Sequence, residues 1–532
     1  MGEIGRLMRV VDWTLYLLIS LLGITISASE AQRAQVFDGL YSNQCAVCHG
    51  SDMLGTAQGG PLIGIELIEG DSVSDIEKVI SEGRPNQGMP SWSETLSVSD
   101  IRTLAIFIAE SRVGITQFSD FKVDELTLPD QPIHSSDESF TVEPVIQGLD
   151  RWPYSIAPLP DGRILLTEKT RGLSIISTDG KQSELVPGAP IGHAMGYARD
   201  QLQFGTGYIM DVDLHPNFEE NGWIYIHFGH RCLDCPQTAV PESSPRPQAA
   251  SNDAYLSRRD QPHSMNKVIR GRIRNGAWVD EETVWEVDRN FYTNNTEMAA
   301  GGRLAFDPAG YLFLSVGMKK GYSGIQDLNA PYGKIHRIHD DGRIPTDNPF
   351  VNTAGALPSI WTYGHRSPQG LEFDATNRDL WGTEMGPRGG DEVNLLLPGR
   401  NYGWPLFSKG LHYNGQPVGG NRQQLEITID DIEQPRVDLT PGPAVSSFII
   451  YSGQAFPNWQ GNLLVGTLKG TKLFRMVFDN KTLIKREVIL GPISRIRDIE
   501  VEPGGTILLL LEHRSNSQIV RLKSYQNNKN LL

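Results

Sequence analysis

Two patterns of apolar and polar positions divide the chain. From about residue 32 to residue 112 the apolar side chains recur at helical spacing, and Ser72 and Ser97 each stand three residues ahead of an aspartate. That arrangement of serine and aspartate is typical of the first turn of a helix. The last helix presents one apolar face at positions i, i+3, i+4 and i+7: Ile101, Leu104, Ala105 and Ile108. The pattern predicts a small all-α domain over residues 32–112.

Beyond about Pro144 the pattern changes to short β-branched and aromatic runs between clusters of Gly, Pro, Asp and Asn. A polar turn followed by an apolar strand occurs six times, with strands beginning near residues 163, 223, 311, 380, 462 and 506. The mean spacing of about 69 residues suits one four-stranded blade with long loops. The repeats predict an all-β, six-bladed β-propeller over residues 144–525, and a pair of β-sandwiches is the alternative.

The remaining segments fit neither pattern. Residues 113–143 are polar and acidic, which indicates a linker, and residues 526–532 form a C-terminal tail. At the N-terminus Arg6 and Arg9 precede an apolar run of about 14 residues and then a stretch of small residues. This predicts a secretory signal peptide over residues 1–31, with an uncleaved membrane anchor as the alternative. Either way we expect a periplasmic or secreted protein, and no later segment approaches the length of a membrane span.

Composition narrows the function. The chain has 63 acidic and 48 basic side chains, a net charge of −15, so it lacks the basic field that nucleic-acid binding requires. The 55 glycines and 33 prolines agree with many tight turns. Four cysteines form two Cys-x-x-Cys pairs that lie too far apart for a zinc ribbon. For Cys232 and Cys235 an exported protein predicts a local disulfide, with metal binding as the alternative.

The first cysteine pair belongs to a sequence with a specific chemistry. Cys45, Cys48 and His49 form Cys-x-x-Cys-His, the attachment pattern of c-type haem. The thiols would form thioether bonds to the porphyrin, and the imidazole would bind the iron. Met89 lies in a polar Gly-Met-Pro loop where no core is expected, so it is predicted as the second iron ligand. Met53 is the competitor, but it stands only four residues after His49.

The helical domain resembles a class I cytochrome c over its whole length. In that family the carbonyl of a proline accepts a hydrogen bond from the haem histidine, and Pro61 stands at the matching position. Such a bond would orient the imidazole. The alternative is an ordinary turn proline.

The β-rich part carries a series of motifs in one order. They are Ala157–Gly162, Asp213–Phe218, Gln326–Asn329, Gly333–Ile335, Tyr363–Gly370, Glu384–Glu392, Asn401–Pro405, Leu468–Gly470 and Arg495–Asp498. With these motifs, the chain from about Ile146 to Lys523 resembles the soluble glucose/sorbosone dehydrogenases. Those enzymes are six-bladed propellers that bind pyrroloquinoline quinone (PQQ) and calcium. The resemblance therefore implies an oxidoreductase with both cofactors.

The resemblance also implies positions for the PQQ site. Lys469, Arg495 and Arg497 would clamp the three carboxylates of PQQ, because cations can fork onto carboxylates. Arg366 and Ser367 would lie near the quinone side, with Arg366 as a catalytic residue, and the family commonly has Asn where Ser367 stands. The alternative for Arg495 and Arg497 is a pair of solvent-facing arginines on an edge strand.

For calcium, the carbonyl groups of Gly386 and Pro387 match the family's metal loop. Asp391 is a further candidate oxygen donor, since calcium prefers several oxygen ligands. The alternative is a tight Gly-Pro loop without a metal.

Two departures fall on the substrate side. The family's catalytic histidine, which takes the proton of the sugar hydroxyl, is Ala299 here, and alanine accepts no proton. Thr206 replaces a family glutamine. Glu297 and His193 are candidate substitute bases, and for each the alternative is an ordinary surface residue.

These observations predict a periplasmic quinohaemoprotein dehydrogenase. It would oxidise an aldose or alcohol with PQQ and pass electrons to its own haem c, and from there to a downstream cytochrome or oxidase. One alternative is a propeller without a base that binds a carbohydrate or protein beside a cytochrome electron carrier. Another is a quinoprotein that oxidises something other than a sugar.

Overall fold

A computed structural model describes residues 38–114, 125–193, 197–199, 202–232, 235, 262–319, 322, 324–419 and 426–525. The chain comprises two compact units and passes from the helical unit to the β-rich unit after Gly114. The predicted signal peptide, the C-terminal tail and the middle of the predicted linker lie outside the described residues.

The helical unit confirms the predicted helix starts. Its helices include α1 (Ala46–His49), α2 (Val73–Glu82) and α3 (Val98–Arg112), with a short 3₁₀ helix over Pro85–Gln87. Ser72 and Ser97 each accept a hydrogen bond from the backbone of the aspartate three residues on, and the aspartate side chain bonds back. These capping boxes satisfy backbone N–H groups that have no partner inside the helix. The four apolar residues predicted for one face of α3 are all buried.

The β-rich unit contains 26 named strands among the described residues. In chain order they are β1 (Ile133–His134), β2 (Ser139–Leu149), β3 (Pro153–Pro158), β4 (Ile164–Glu168), β5 (Gly172–Ile176), β6 (Tyr197–Arg199), β7 (Leu202–Phe204), β8 (Ile209–Leu214), β9 (Ile224–Cys232), β10 (His263–Arg274), β11 (Ala277–Trp285), β12 (Gly301–Phe306), β13 (Tyr311–Val316), β14 (Lys334–His339), β15 (Ile360–Tyr363), β16 (Pro368–Asp374), β17 (Asp379–Glu384), β18 (Glu392–Leu395), β19 (Val437–Asp438), β20 (Val445–Ile450), β21 (Leu463–Thr467), β22 (Leu473–Asp479), β23 (Thr482–Leu490), β24 (Arg495–Val501), β25 (Ile507–Glu512) and β26 (Ser517–Ser524). A short helix, α4, covers Phe218–Asn221.

Six antiparallel sheets form the blades of a propeller. They are β3–β5, β8–β11, β12–β15, β16–β19, β20–β23, and β24–β26 joined by β2 and β1, while β6 and β7 form a separate hairpin. The innermost strands β3, β8, β12, β16, β20 and β24 contact one another in sequence, and β24 contacts β3, so the ring closes. The six repeated strands predicted from the sequence are β4, β9, β13, β17, β21 and β25, the second strand of each blade.

The last blade corrects the predicted linker boundary. Strand β2 pairs with β26, and β1 pairs with β2, so chain segments from both ends of the β-rich unit share one sheet. Phe140 and Val142 alternate toward the core and are 0% and 7% exposed. The propeller therefore begins at β1, inside the segment predicted as linker up to residue 143. The prediction failed because this short alternation stands among polar residues and its pairing partner is almost 400 residues away.

Arg303, on β12, ties the inner strands together. Its Nη1 donates to Oδ1 of Asp211 on β8 and to Oδ1 of Asp498 on β24, both at 2.8 Å. Its Nε donates to the carbonyl of Gln369 on β16 at 2.9 Å, and its Nη2 donates to the carbonyl of Arg497 on β24 at 3.0 Å. One buried guanidinium thus joins four of the six blades.

The disulfide prediction is confirmed, because Cys232 and Cys235 form a disulfide at the end of β9. In the parts of the chain that the structure describes, no helix is both long enough and apolar enough to cross a bilayer.

Replacing the Arg303 guanidinium should strongly destabilise the propeller. In Arg303→Met, Asp211 and Asp498 lose their buried cation, and breaking such a pair typically costs about 3–5 kcal/mol. The control is Arg343→Met, which removes a guanidinium paired with Asp341 but 73% exposed; such a pair is worth about 0–1 kcal/mol. Urea unfolding followed by tryptophan fluorescence measures both variants. Equal stability of the two would contradict the role of Arg303.

Candidate active site

The predicted propeller residues stand at one end of the ring. Each innermost strand begins where its antiparallel neighbour ends, as in the pairs Gly301 with Val316, Pro368 with Glu384 and Arg495 with Glu512. The contacts of Arg303 join the first residues of neighbouring inner strands, so these strands begin at the same end. The residues at these strand ends, or in loops beside them, are Ala299, Arg366, Ser367, Gly386, Pro387, Asp391, Lys469, Arg495 and Arg497. The ring therefore brings together side chains that are far apart in sequence.

Arg495 and Arg497 lie on an innermost strand and share one buried carboxylate. Nε of Arg495 is 3.1 Å from Oε1 of Glu512, and Nε of Arg497 is 2.6 Å from Oε2. The two arginines are 7% and 6% exposed and Glu512 is fully buried. Burial alone would raise the pKa of Glu512, but Arg497 and Arg495 lower it to about 2. These arginines are not solvent-facing residues of an edge strand, and together with Glu512 they form a cationic site.

The turn that contains Arg366 is hydrogen bonded to the side chain of Glu384. Glu384 accepts the backbone N–H groups of Arg366 and Ser367 and also hydrogen bonds Nδ1 of His365. Nη1 of Arg366 donates to the carbonyl of Met385 at 2.9 Å. Because Glu384 ends β17 and the turn precedes β16, this contact explains why the two motifs occur together.

Unpaired donors near this turn fit a polar ligand. Nε of Arg366 and Nε1 of Trp404 are buried, and neither has a hydrogen-bond partner among the described residues. The Arg366 guanidinium carbon lies 5.4 Å from the Trp404 ring centroid. Ser367 is less available, because it is 2% exposed and its hydroxyl accepts a hydrogen bond from Gln369. Two unpaired donors at the same end of the ring as the cationic site fit a ligand with carboxylate and quinone oxygens.

The predicted calcium loop is compact. A Cβ on Gly386 would collide with the carbonyl of Gly390, so the close approach of the two loop arms requires glycine. Asp391 is 3% exposed, and its two oxygens accept the N–H groups of Gly386 and Val445 at 3.1 and 3.0 Å. Within the described ranges, no group of three or more His, Cys, Asp or Glu is placed to hold a metal ion. Asp391 therefore anchors the loop, and with the carbonyl groups of Gly386 and Pro387 it stays a predicted oxygen donor.

Ala299 ends a 3₁₀ helix that begins at Glu297. The Glu297 carboxylate is fully buried: Oε1 is 2.9 Å from Nζ of Lys319 and 2.6 Å from Oγ of Ser264, and Oε2 accepts the N–H of Tyr208 at 2.6 Å. Burial lowers the pKa of Lys319, although the adjacent carboxylate opposes this. With three donors and no exposed atom, Glu297 cannot meet a substrate directly. The geometry does not support it as the substitute base, and it is not a surface residue either.

His193 lies against the segment that carries Thr206. Its backbone N–H donates to the carbonyl of Gly207 at 3.2 Å, and its imidazole Cδ2 would lie 2.7 Å from a Cβ on Gly207. The Thr206 side chain donates to the carbonyl of Pro262 at 3.1 Å. Burial and the nearby Arg231 lower the pKa of His193, so its imidazole is mostly neutral at pH 7. A neutral imidazole in this place can accept a proton.

The haem motif occupies the first helices of the helical unit. Cys45 and Cys48 are free, partly buried thiols, and burial, with the neighbouring Cys48, raises the pKa of Cys45 to about 11. Nδ1 of His49 donates to the carbonyl of Gly60 at 2.8 Å, which leaves Nε2 for iron. The prediction that the carbonyl of Pro61 accepts this bond is wrong, because the acceptor belongs to the peptide bond that precedes the proline. The donor set of two thiols and an oriented imidazole fits haem c.

The two candidate methionines differ in their surroundings. Met53 is 4% exposed and packs in the core of the helical unit. Met89 is only partly buried, and its backbone N–H and carbonyl exchange hydrogen bonds with Arg84 at 3.1 and 2.8 Å, which fixes the loop. The structure therefore favours Met89 as the ligand.

Several charged residues of the propeller site were missed from the sequence: Glu384, Glu512, Lys169 and Lys319. One signal was present. Glu168, Glu384 and Glu512 each end the second strand of a blade, so a glutamate recurs at one point in three of the six repeats. A buried apolar strand that repeatedly ends in a carboxylate indicates a polar site at that end of the ring.

The fold and site define a six-bladed propeller with an N-terminal cytochrome c domain, and comparisons with known proteins agree. A family model described as "Glucose / Sorbosone dehydrogenase" matches residues 150–521, and one described as "Cytochrome C oxidase, cbb3-type, subunit III" matches residues 32–108. The chain belongs to the glucose/sorbosone dehydrogenase family. The predicted family and fold class are confirmed, and the family places the chain among the dehydrogenases.

Characterised relatives cover both domains. Aldose sugar dehydrogenase YliI of Escherichia coli is 31% identical over 68% of this chain and 88% of its own length. Quinoprotein glucose dehydrogenase B of Acinetobacter calcoaceticus is 24% identical over 77% of this chain and 92% of its own. Cytochrome c55X of Paracoccus denitrificans is 31% identical over 18% of this chain and 91% of its own. The apo crystal structure of the soluble E. coli aldose sugar dehydrogenase has a TM-score of 0.58 at 28% identity, covering 73% of this chain and all of its own.

Replacing each methionine in turn should show which of them binds the haem iron and which belongs to the core. Met89→Ala should keep the haem but alter its absorption spectrum and lower its reduction potential, since a thioether ligand favours ferrous iron. Met53→Leu, the control, conserves core volume and should leave spectrum and potential unchanged. Absorption spectroscopy and redox titration measure both. The opposite result, with only Met53→Leu altered, would assign the ligand to Met53.

Proposed function

We propose that this protein is an exported quinohaemoprotein dehydrogenase that oxidises an aldose or alcohol with PQQ and passes the electrons to its own haem c. The observation that carries the proposal is the cationic site of Arg495, Arg497 and Glu512 at the end of the ring. It lies at the same end as Lys469, Arg366 and Ala299. The family membership supports oxidation of the substrate by PQQ, and the cytochrome domain supports transfer of the electrons to a haem.

The residues of the site have separate tasks. Lys469, Arg495 and Arg497 would hold the carboxylates of PQQ, and Arg366 would lie on the quinone side. Bound PQQ supplies a two-electron acceptor for the substrate. Calcium beside it stays a prediction that rests on the carbonyl groups of Gly386 and Pro387.

The cytochrome domain is suited to accept the electrons of the substrate one at a time. Haem iron held by His49 and Met89 carries one electron at a time, whereas oxidation of an alcohol or aldose releases two. A covalent link between the two domains keeps the haem at high effective concentration around the propeller. A downstream cytochrome or oxidase then takes the electrons.

Export is supported by the disulfide between Cys232 and Cys235. Disulfides persist in oxidising compartments and are rare in the cytosol. The proposed periplasmic location rests on this bond and on the N-terminal sequence.

The proton of the substrate hydroxyl needs an acceptor, because Ala299 has none. We assign this role to His193, whose imidazole lies beside Gly207, at the segment where Thr206 replaces the family glutamine. Glu297 is excluded from direct contact by its burial and its three donors. The buried pair of Glu297 and Lys319 instead fixes the 3₁₀ helix next to this segment.

A second candidate function is favoured by the same two substitutions. Without the histidine at Ala299 and the glutamine at Thr206, the propeller could bind a carbohydrate or a protein without oxidising it. The attached cytochrome would then act as an independent electron carrier.

Haem reduction separates the two candidates. The full-length protein is loaded with PQQ and calcium, aldoses and alcohols are added, and the haem absorption is followed. We expect reduction only when both PQQ and a suitable substrate are present. The double variant Cys45→Ala/Cys48→Ala, which lacks the thioether bonds, should retain less haem and reduce a soluble dye instead.

Two results would contradict the proposal. Absence of PQQ binding by the wild-type protein removes its first step. PQQ binding without haem reduction by any aldose or alcohol supports the non-oxidising propeller.

His193→Ala should lower kcat by about 10²–10⁴-fold with any substrate that reduces the haem, since that is the usual contribution of a general base. The wild-type rate should fall as the pH drops through the lowered pKa of His193, because the protonated ring accepts no proton, and the variant should lose this dependence. His134→Ala, which alters an exposed histidine on β1, is the control. Unchanged kcat and pH profile in His193→Ala would rule out the assignment.

A further inference from the structure

The cationic site holds less positive charge than its arginines suggest. Glu512 is ionised, because its pKa lies at about 2, and it contacts both Arg495 and Arg497. These three side chains together carry a net charge of +1. Addition of Lys469 raises the charge to +2, whereas PQQ carries three carboxylates. The predicted carboxylate clamp, counted without Arg366 and the predicted calcium, therefore carries one positive charge fewer than the cofactor has carboxylates.

Lys169 stands beside this site. It follows the last residue of β4, at the end of the ring where the innermost strands begin. Its backbone N–H donates to the carbonyl of Trp152 at 2.9 Å, and its carbonyl accepts the N–H of Ile209 at 3.0 Å, so the residue before β3 and the first residue of β8 both fix its backbone. Lys469 also follows the second strand of its own blade, two residues after the end of β21.

The ammonium group of Lys169 lacks a counter-charge in direct contact. Among the residues that the structure describes, no carboxylate or other acceptor lies within hydrogen-bond distance of its Nζ. The nearest ring centroids, those of Trp152 and Tyr154, are each 5.7 Å away. Arg497 also faces the Tyr154 ring, with its guanidinium carbon 5.9 Å from the centroid. A partly buried ammonium near two arginines and without an acceptor is costly unless an anion joins it.

We propose that Lys169 is a further cation of the PQQ site and binds one of the carboxylates of the cofactor. The inference rests on the proposed function and extends it to a residue outside the predicted clamp. With Lys169 the five side chains carry +3, which matches three carboxylates. The unpaired ammonium then gains the acceptor that the protein alone does not provide.

The electrostatic state of Lys169 without a ligand supports this role. Burial, followed by repulsion from Arg497, lowers the pKa of Lys169 to about 7, although Glu512 opposes the shift. The other charged groups that face it are Arg495 on β24 and Arg303 on β12, and Tyr154 on β3 also titrates. Burial raises the pKa of Tyr154, and arginine stays protonated, so Lys169 is the group of this set that changes charge near neutral pH.

This state predicts a proton-coupled affinity. At pH 8 most of the free protein has a neutral Lys169, and a carboxylate favours its charged form, so PQQ binding should take up a proton. Affinity should therefore fall as the pH rises above about 7. The carboxylates of PQQ, with ordinary pKa values near 4, stay ionised over this range.

Isothermal titration calorimetry of the full-length protein with PQQ and calcium tests the proposal. Lys169→Met should weaken binding by about 10- to 100-fold, as expected for loss of one charge-assisted hydrogen bond. Lys169→Arg keeps a charge that does not titrate, so it should retain much of the affinity without proton uptake. Lys181→Met removes a lysine of the same blade that is 80% exposed, and it should bind PQQ as the wild type does.

Proton uptake is measured at pH 8 in buffers of different ionisation enthalpy. A purely structural lysine would lower the thermal stability of Lys169→Met but leave the uptake unchanged. Wild-type affinity in Lys169→Met, or proton uptake retained in either Lys169 variant, would overturn the proposal. If Lys169→Met does not fold, the pH profile of Lys169→Arg decides alone. Failure of the wild-type protein to bind PQQ would instead contradict the proposed function, so the two failures are distinguishable.

Discussion

The buried ion network of Arg303 is the constraint on which the propeller depends. A ring of six blades leaves polar groups at its axis, and a low-dielectric interior tolerates charge only when it is paired and hydrogen bonded. Arg303 meets this condition with Asp211 and Asp498, and each carboxylate also accepts a backbone N–H, from Leu304 and Ile156 respectively. Each acid thereby binds a strand of another blade. The same network that closes the ring fixes the strand that presents Arg495 and Arg497.

The cofactor side of the site is built outward from this network. Arg303 donates to the carbonyl of Arg497, and the guanidinium carbon of Arg303 also lies 4.8 Å from the Tyr154 ring centroid. Tyr154 in turn donates to the carbonyl of Gly301, close to Ala299. Glu512 then holds the two arginines in place and lowers their net charge. The inner strands thus place the two arginines. On our proposal, the charge that balances the cofactor depends on additional side chains such as Lys169.

The residues on the substrate side of the site differ from the cationic residues on the cofactor side. There the sequence resemblance assigns Ala299 to the position of the family's imidazole, while a buried carboxylate and a buried lysine, Glu297 and Lys319, fix the adjacent helix. Such a pair holds the backbone but offers no atom to a substrate, because neither side chain is exposed. The chain therefore retains the scaffold of a family member and moves the proton acceptor, on our proposal, to His193 on a neighbouring segment.

The sequence by itself determined the two domains, the six repeats, the haem motif and the disulfide, because each is encoded in local spacing. Helical periodicity, a turn before each apolar strand, and Cys-x-x-Cys pairs need no knowledge of distant residues. The pairing of β2 with β26 was decided only by the tertiary structure, since Phe140 and Val142 find their core through a strand near the other end of the chain. The same holds for Glu512 under the arginines, Asp391 as a loop anchor and the pairing of Glu297 with Lys319. Burial and charge pairing are properties of neighbours in space, and closure of the ring makes neighbours of residues that are hundreds of positions apart.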